Sequence, residues 1–391
     1  MKWFSAQYIV TNSGPPLKRA IITAGDDGTI INIEDTPGDL QEKHPVDFYN
    51  GIIIPGFVNC HCHLELSHLK EAISPGTGLT GFIEQVRQSR ATDKVNIIRA
   101  AKNADLDMYA AGVNLCADIC NTSLTFNLKK ESRISYLNLL EVFGIDPSKA
   151  VLRMAEIITI SEIAVGMNLP FALVPHSVYS LSLTLFRLLR ETNNENRVTS
   201  IHFMESAGEE DLVEKHSGPL MTSYLQSGLI SSEIETVKSH TDAILNEITR
   251  NGNLILVHNT FAGLTTIRKA KMRGNLFWCL CPNSNTYIEN KLPPVDLLIN
   301  EGCNMVIGTD SLASNKKLEI LEELKTLQVH FPSLSIEELV SWATINGAKA
   351  LGQQKQFGSI ETGKRPGLLL LQNVDLQNMK LLPESSVTRL I

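Results

Sequence analysis

The chain has 391 residues, 43% hydrophobic and 20% charged, and its 35 basic and 42 acidic side chains leave a net charge of −7. That is the composition expected of a globular protein with a core large enough to fold without disulfide staples. The acidic balance and the lack of a basic cluster argue against nucleic acid or an anionic membrane as partner. The seven cysteines (Cys60, Cys62, Cys116, Cys120, Cys279, Cys281, Cys303) are odd in number and sit mostly in apolar, strand-like stretches. This usage suits reduced, buried thiols in a cytoplasmic protein. Met1 to Gln7 carries no apolar signal core, and no run of ~18 apolar residues could span a bilayer.

Residues 1 to about 55 read as a small β module. Gln7 to Thr11 is β-rich, and Ala20–Ala24 and Thr29–Ile33 flank Gly25-Asp26-Asp27-Gly28, a hairpin signal. From Pro55 onward, β-like runs alternate with helical stretches. Eight runs are expected: Phe57–Leu64, Gly112–Ile119, Ser135–Phe143, Phe171–Pro175, Thr199–Met204, Leu254–His258, Leu276–Cys281 and Asn304–Gly308. Several are continuously apolar, as parallel strands buried on both faces are. Helices are expected over Ala150–Gly166, Leu181–Thr192, Gly208–Thr249 (as two helices) and Val295–Glu301. Two amphipathic helices, Lys317–Phe331 and Ser335–Leu351, follow the last run. Eight β-then-α units predict an α/β fold, a (β/α)₈ TIM barrel over residues 56–351. An open doubly wound sheet is the competing reading, and no glycine-rich nucleotide loop favours it. Beyond Leu351 a turn-rich and then strand-like tail rejoins the N-terminal module, so residues 1–55 plus 352–391 form a second, β domain.

His61 and His63 end the first run. Residues two apart on a strand share a face, so both imidazoles aim at one point, as a metal site requires. In a β/α barrel, chemistry sits at the C-terminal strand ends. The ends of later runs carry His176, His202 with Glu205, His258, Asn283 and Asp310 with Ser311. Five of the ten histidines fall at such ends, which a scatter of surface residues would not produce. Each member has a plainer reading: a hydrogen-bonded structural His176, a solvated Glu205, an Asp310 that caps a helix. His68, His216, His240 and His330 are read as surface residues. Cys60 and Cys62 interleave with the histidines but face the other way, and no second Cys pair has zinc-ribbon spacing.

The ordered motifs resemble the amidohydrolase superfamily, in particular its aminohydrolase branch of nucleobase and aminopurine deaminases. They are Pro55-Gly56-Phe57-Val58-Asn59-Cys60-His61-Cys62-His63, Pro175-His176-Ser177, His202-Phe203-Met204-Glu205, Val257-His258-Asn259, Cys281-Pro282-Asn283-Ser284-Asn285 and Gly308-Thr309-Asp310-Ser311. In the tail, Ala343 to Ala348 and Gly358 to Gly367 match as well. The segment His63-Leu64-Glu65-Leu66-Ser67 is similar to aminofutalosine deaminase-like proteins, with guanine and adenosine-type substrates left open.

The resemblance implies a barrel with a β-sandwich made from both termini, and one divalent ion held by His61, His63, His202 and Asp310. It implies that His258 contacts the attacking water, that Glu205 carries protons, and that His176 contacts substrate, with Asn283 and Ser311 as further substrate contacts. Family habit points to a homodimer acting on a small molecule. The His/Asp ligand set suits zinc and iron(II) alike, with zinc expected. A divalent ion lowers the pKa of its water towards ~7. Asp310 can then take the water proton, and Glu205 can protonate a ring nitrogen and the departing ammonia. Two-metal relatives carry a lysine at the end of the fourth strand; Phe171 to His176 has none, so one metal is expected. Where several relatives have a second histidine after the strand-6 histidine, this chain has Asn259. The competing functions are hydrolysis of another C–N or C–Cl bond in a small cyclic substrate and, from a different class, a non-catalytic metal-binding barrel. A halide needs no proton to leave, which argues against that use of Glu205.

Overall fold

A computed structural model describes residues 1–39, 45–192, 196–230, 239–248 and 251–391. The described residues contain fifteen strands: β1 Lys2–Ile9, β2 Leu17–Lys18, β3 Ile21–Ala24, β4 Ile30–Glu34, β5 Asp47–Pro55, β6 Phe57–Cys62, β7 Val113–Cys120, β8 Ser135–Val142, β9 Phe171–Pro175, β10 Val198–Phe203, β11 Asn253–His258, β12 Leu276–Leu280, β13 Met305–Ile307, β14 Leu368–Gln372 and β15 Ser386–Arg389.

Strands β6 to β13 are the eight expected β-like runs, within about two residues at each end. They form two parallel four-stranded sheets, β6-β7-β8-β9 and β10-β11-β12-β13. At both seams the sheets are bridged in parallel, Ser177 to His202 and Cys62 to Asp310. The His202 amide donates to the His176 carbonyl at 2.8 Å, and the Thr309 and Asp310 amides donate to the His61 carbonyl at 3.0 Å.

Alternation sorts the strand residues into two cores. One apolar cluster takes a side chain from every one of the eight strands: Val58 and Cys60, Ala117, Leu139, Val174, Val198, Val257, Cys279 and Val306. The opposite faces, with Leu140, Ile201, Leu256, Trp278 and Ile307, join the large cluster packed under the helices. Burial on both faces is why these segments read as continuous apolar runs rather than alternating ones. Strands also pack closely at Gly308, where a Cβ would lie 2.7 Å from the His61 Cβ and 2.9 Å from Cys279 Sγ.

Helices fill the expected intervals. Ala150–Gly166 is one helix, and a second runs over Leu183–Thr192. The Gly208–Thr249 stretch holds three described helices rather than two: Gly208–Lys215, Gly218–Gln226 and His240–Glu247. His216 breaks the first in a left-handed turn (φ 50°), and residues 231–238 and 249 of that stretch lie outside the described ones. The Ser335–Leu351 helix is interrupted by a π turn at Trp342–Asn346, which periodicity cannot reveal.

Strands from the two termini join in one sheet, ordered β15-β14-β5-β1-β3-β4, with β2 beside β1. β5 is its centre, parallel to β1 and antiparallel to β14, and it runs through Gly56 into β6. All seven cysteines are free, six of them buried and Cys303 half-buried. His68 is half-buried rather than superficial, with its ring nitrogens 3.0 and 3.3 Å from the Glu65 and Arg90 carbonyls. No described helix is long and apolar enough to cross a membrane.

Candidate active site

The C-terminal ends of β6, β10, β11 and β13 converge. His61 Nε2 lies 3.0 Å from His63 Nε2, and Asp310 Oδ1 is 3.6 and 3.4 Å from these two nitrogens. The His202 ring is 4.8 Å from that of His61. Burial pulls the His61 imidazole down to about 3 and lowers His63 and His202 too. Their lone pairs are therefore free at neutral pH. Burial alone would raise the Asp310 carboxyl, but the imidazoles around it hold it well below the usual range. The Ser284 and Ser314 hydroxyls act in the same direction, each donating to Oδ2 at 2.6 Å. They leave Oδ1 for the histidines.

Hydrogen bonds set the tautomers. His202 Nδ1 is 2.8 Å from the His176 carbonyl, which can only accept, so the proton is on Nδ1 and Nε2 is bare. The Asn285 amide donates to the His258 carbonyl, which turns its Oδ1 to His258 Nδ1 at 2.9 Å. His258 Nε2 is buried and makes no hydrogen bond. Backbone strain gathers here: Met204, His258, Asn259 and Asp310 all have positive φ, from 49° to 75°. Non-glycine residues in that region cluster where a site dictates side-chain direction.

Glu205 follows β10 on a turn pinned by Glu209, whose carboxylate accepts from the Met204, Glu205 and Ser206 amides. Its Oε1 is 3.6 Å from His258 Nε2, and its Oε2 accepts from the Tyr179 hydroxyl at 3.2 Å. Burial, reinforced by Glu209, pushes its carboxyl up to about 8 against the pull of His202. His63, His176, His202, Glu205, His258, Asp310 and Ser311 all line one cavity of about 350 Å³. Asn283 does not line it. Its amide donates to Glu323, and its Oδ1 accepts from Thr326. His176 Nδ1 is held by the Ser177 and Ser180 hydroxyls at 3.0 and 2.7 Å.

The donor set suits a divalent ion. Among the described residues, His61, His63 and Asp310 offer ligand atoms within 4.8 Å of one another, as do His61, His202 and His258. Ligands on a tetrahedral ion with bonds of ~2.0–2.1 Å lie about 3.4 Å apart, which matches the spacings of His61, His63 and Asp310. Without an ion, two neutral imidazoles would face each other with at most one proton between them.

A family model described as the amidohydrolase family matches residues 52–387. The chain belongs to the amidohydrolase family. It is similar to an adenosine deaminase of Helicobacter pylori, 28% identical over 332 residues that make up 82% of this chain and 79% of that one. It also resembles the solved Helicobacter pylori aminofutalosine deaminase in complex with methylthio-coformycin. That likeness has a TM-score of 0.78 at 24% identity and covers 96% of this chain and 93% of the other. A solved adenosine deaminase of Xanthomonas campestris with bound zinc gives a TM-score of 0.70 at 19% identity, with 97% and 86% covered.

This amidohydrolase also brings to the site residues that its motifs do not reveal. Glu141, at the end of β8, lines the cavity, and its Oε1 lies 3.8 Å from His202 Nδ1 without a hydrogen-bond partner. Asn121 Nδ2 donates to its other oxygen at 2.9 Å, and Arg90 in turn donates to Asn121 Oδ1 at 3.0 Å. The strand-end rule that selects His202 and Asp310 also selects Glu141, on the third run. Asn285 was legible only as a motif letter; its role in orienting His258 needs the fold.

Proposed function

We propose that this chain is a metal-dependent hydrolytic deaminase of an amino-substituted purine nucleoside or a closely related small heterocycle. The observation that carries the reading is the convergence of His61, His63, His202 and Asp310 beside Glu205 and His258, on a cavity of about 350 Å³. That volume is at the low end of the ~300–1,000 Å³ usual for small-molecule sites. The names of the similar proteins, adenosine and aminofutalosine deaminases, point to the substrate class.

On this reading His61, His63, His202 and Asp310 hold one divalent ion, with zinc favoured by the zinc-bound relative. When bound, such an ion acidifies a water to a pKa near ~7. His258 keeps its proton on Nδ1 and offers Nε2 as an acceptor that orients the attacking water. Asp310 Oδ1 takes the water proton. Glu205, protonated in its buried setting, donates to the ring nitrogen next to the attacked carbon and then relays to the amine the proton that Asp310 took from the water, so that ammonia leaves; the proton that the new hydroxyl loses on becoming a carbonyl restores Glu205. His176 faces the substrate; Ser311 lies on the cavity wall. The fourth strand, β9, carries no lysine, which supports one ion rather than two.

The same reading treats residues 56–351 as a closed (β/α)₈ barrel. The bridges at both seams and the inner cluster drawn from all eight strands support closure. Residues 1–55 with 352–391 are read as a β-sandwich domain. The Ile30 amide donates to the Lys364 carbonyl and the Gly363 amide to the Ile30 carbonyl, so the sheet curls until β4 meets the segment ahead of β14.

An ammonia-release screen tests the activity. Zinc-loaded protein is offered adenosine, 5′-deoxyadenosine, adenine and guanine. Release from a nucleoside is expected. Silence across the panel from fully metal-loaded protein would reject deamination of these substrates.

A further inference from the structure

β6 hands over its two histidines in different ways. His61 lies within the strand, and its carbonyl is tied to the Thr309 and Asp310 amides. His63 lies beyond the last strand residue, Cys62, at φ −125° and ψ 79°, and the chain then enters a 3₁₀ turn at Leu64. The Leu64 amide thus leaves the ladder at the start of a turn, where amide donors lack a backbone partner. Asp118, paired in register with Cys62 on β7, accepts from that amide at 2.7 Å through Oδ1.

Behind Asp118 stands a fully buried cation. Lys129, on the helix Phe126–Glu131, pairs with Asp118 Oδ2, and both side chains are 0% exposed. Its ammonium also donates to Asn138 Oδ1 and Cys120 Sγ, each at 2.9 Å. All three ammonium protons are used, so the pair is closed to any further ligand. What it delivers outward is one fixed acceptor beneath the peptide that follows His63. Stability is a poor reason for such a pair, because desolvating two charges costs as much as the attraction returns and an apolar pair would serve as well.

We propose that Asp118, paired with Lys129, is the positioning residue for His63: its hydrogen bond to the Leu64 amide fixes where that imidazole points and thereby sets the affinity of the site for its divalent ion. This rests on the metal reading above. The contribution is geometric, since Asp118 touches neither substrate nor ion.

The test separates the hydrogen bond from the charge. Asp118→Asn/Lys129→Met is neutral and keeps an acceptor for the Leu64 amide. Asp118→Leu/Lys129→Met is neutral and has none. Asp118→Ala/Lys129→Met is a smaller acceptor-free variant that folds if leucine overpacks. Each is stripped, titrated with zinc against a chromophoric chelator, and melted without metal. The Asn variant is expected to bind zinc within about threefold of the parent. The acceptor-free variants are expected to bind about 10- to 100-fold more weakly, as for partners that orient metal ligands, while melting like the Asn variant. Equal zinc affinity in the Asn and acceptor-free variants would overturn the proposal. So would a loss that follows melting temperature alone. A parent that takes up no zinc would sink the metal reading, and this inference with it; zinc uptake indifferent to residue 118 sinks the inference alone.

Discussion

Glu205→Gln is the sharpest perturbation of the proposed chemistry. Glutamine has the shape of glutamate, can still accept from the Tyr179 hydroxyl, and leaves untouched the three amides that Glu209 holds. The site should stay built while losing one function, the transferable proton. Removing a positioned general acid lowers the rate by about 10²- to 10⁴-fold, or about 2.7 to 5.4 kcal/mol of barrier at 1.36 kcal/mol per decade. The loss should fall on kcat, because the group acts on nitrogen atoms whose basicity changes during reaction. The assay is ammonia release at saturating nucleoside, with zinc content measured on the same preparation. A variant that keeps its zinc and turns over within tenfold of the parent would refute the assignment of Glu205. A variant that loses zinc would show instead that the carboxyl helps to hold the ion.

Three other outcomes are expected. Asn285→Leu removes the acceptor that holds the His258 proton on Nδ1; a hydrogen bond worth about 1.5–3 kcal/mol in the transition state predicts a loss of about 10- to 100-fold in kcat/KM at unchanged zinc content, and an unchanged rate would refute that role. Stripping the metal should abolish ammonia release, and one equivalent of zinc per chain should restore it, with a stabilisation of about 2.7 kcal/mol at free zinc 100 times Kd; a strict need for two equivalents would overturn the single-ion reading. Gly51→Ala should destabilise the chain by about 1–3 kcal/mol in urea unfolding, because Gly51 has φ +137° and its Cβ would meet the Leu371 carbonyl oxygen at 2.3 Å; an unshifted midpoint would mean that β5 and β14 yield at no cost.

The sequence by itself determined the order of elements. β6 to β13 are continuously apolar because both faces are buried, so their runs stand out without a partner in view. It also determined which residues sit at strand ends, although phase did not fix every face: a register shift between Asn59 and Cys62 in β6 puts Cys60 and Cys62 in different clusters, where strict alternation has them share a face. Position at a strand end is why His61, His63, His202, His258 and Asp310 were legible. Tertiary structure decided what those ends meet. Asn283 and Asn285 are equivalent letters in one motif, yet the helical turn after β12 sends Asn285 to His258 and Asn283 to Thr326 and Glu323. Glu141 could have been picked out by its place at a strand end, but Asp118 and Lys129 carry no local signal, because an acid on a strand and a lysine on the next helix acquire meaning only from each other and from the strand beside them. Asp118 lies 55 residues beyond His63 in the chain, but in register beside Cys62, and that register puts its carboxylate under the Leu64 amide.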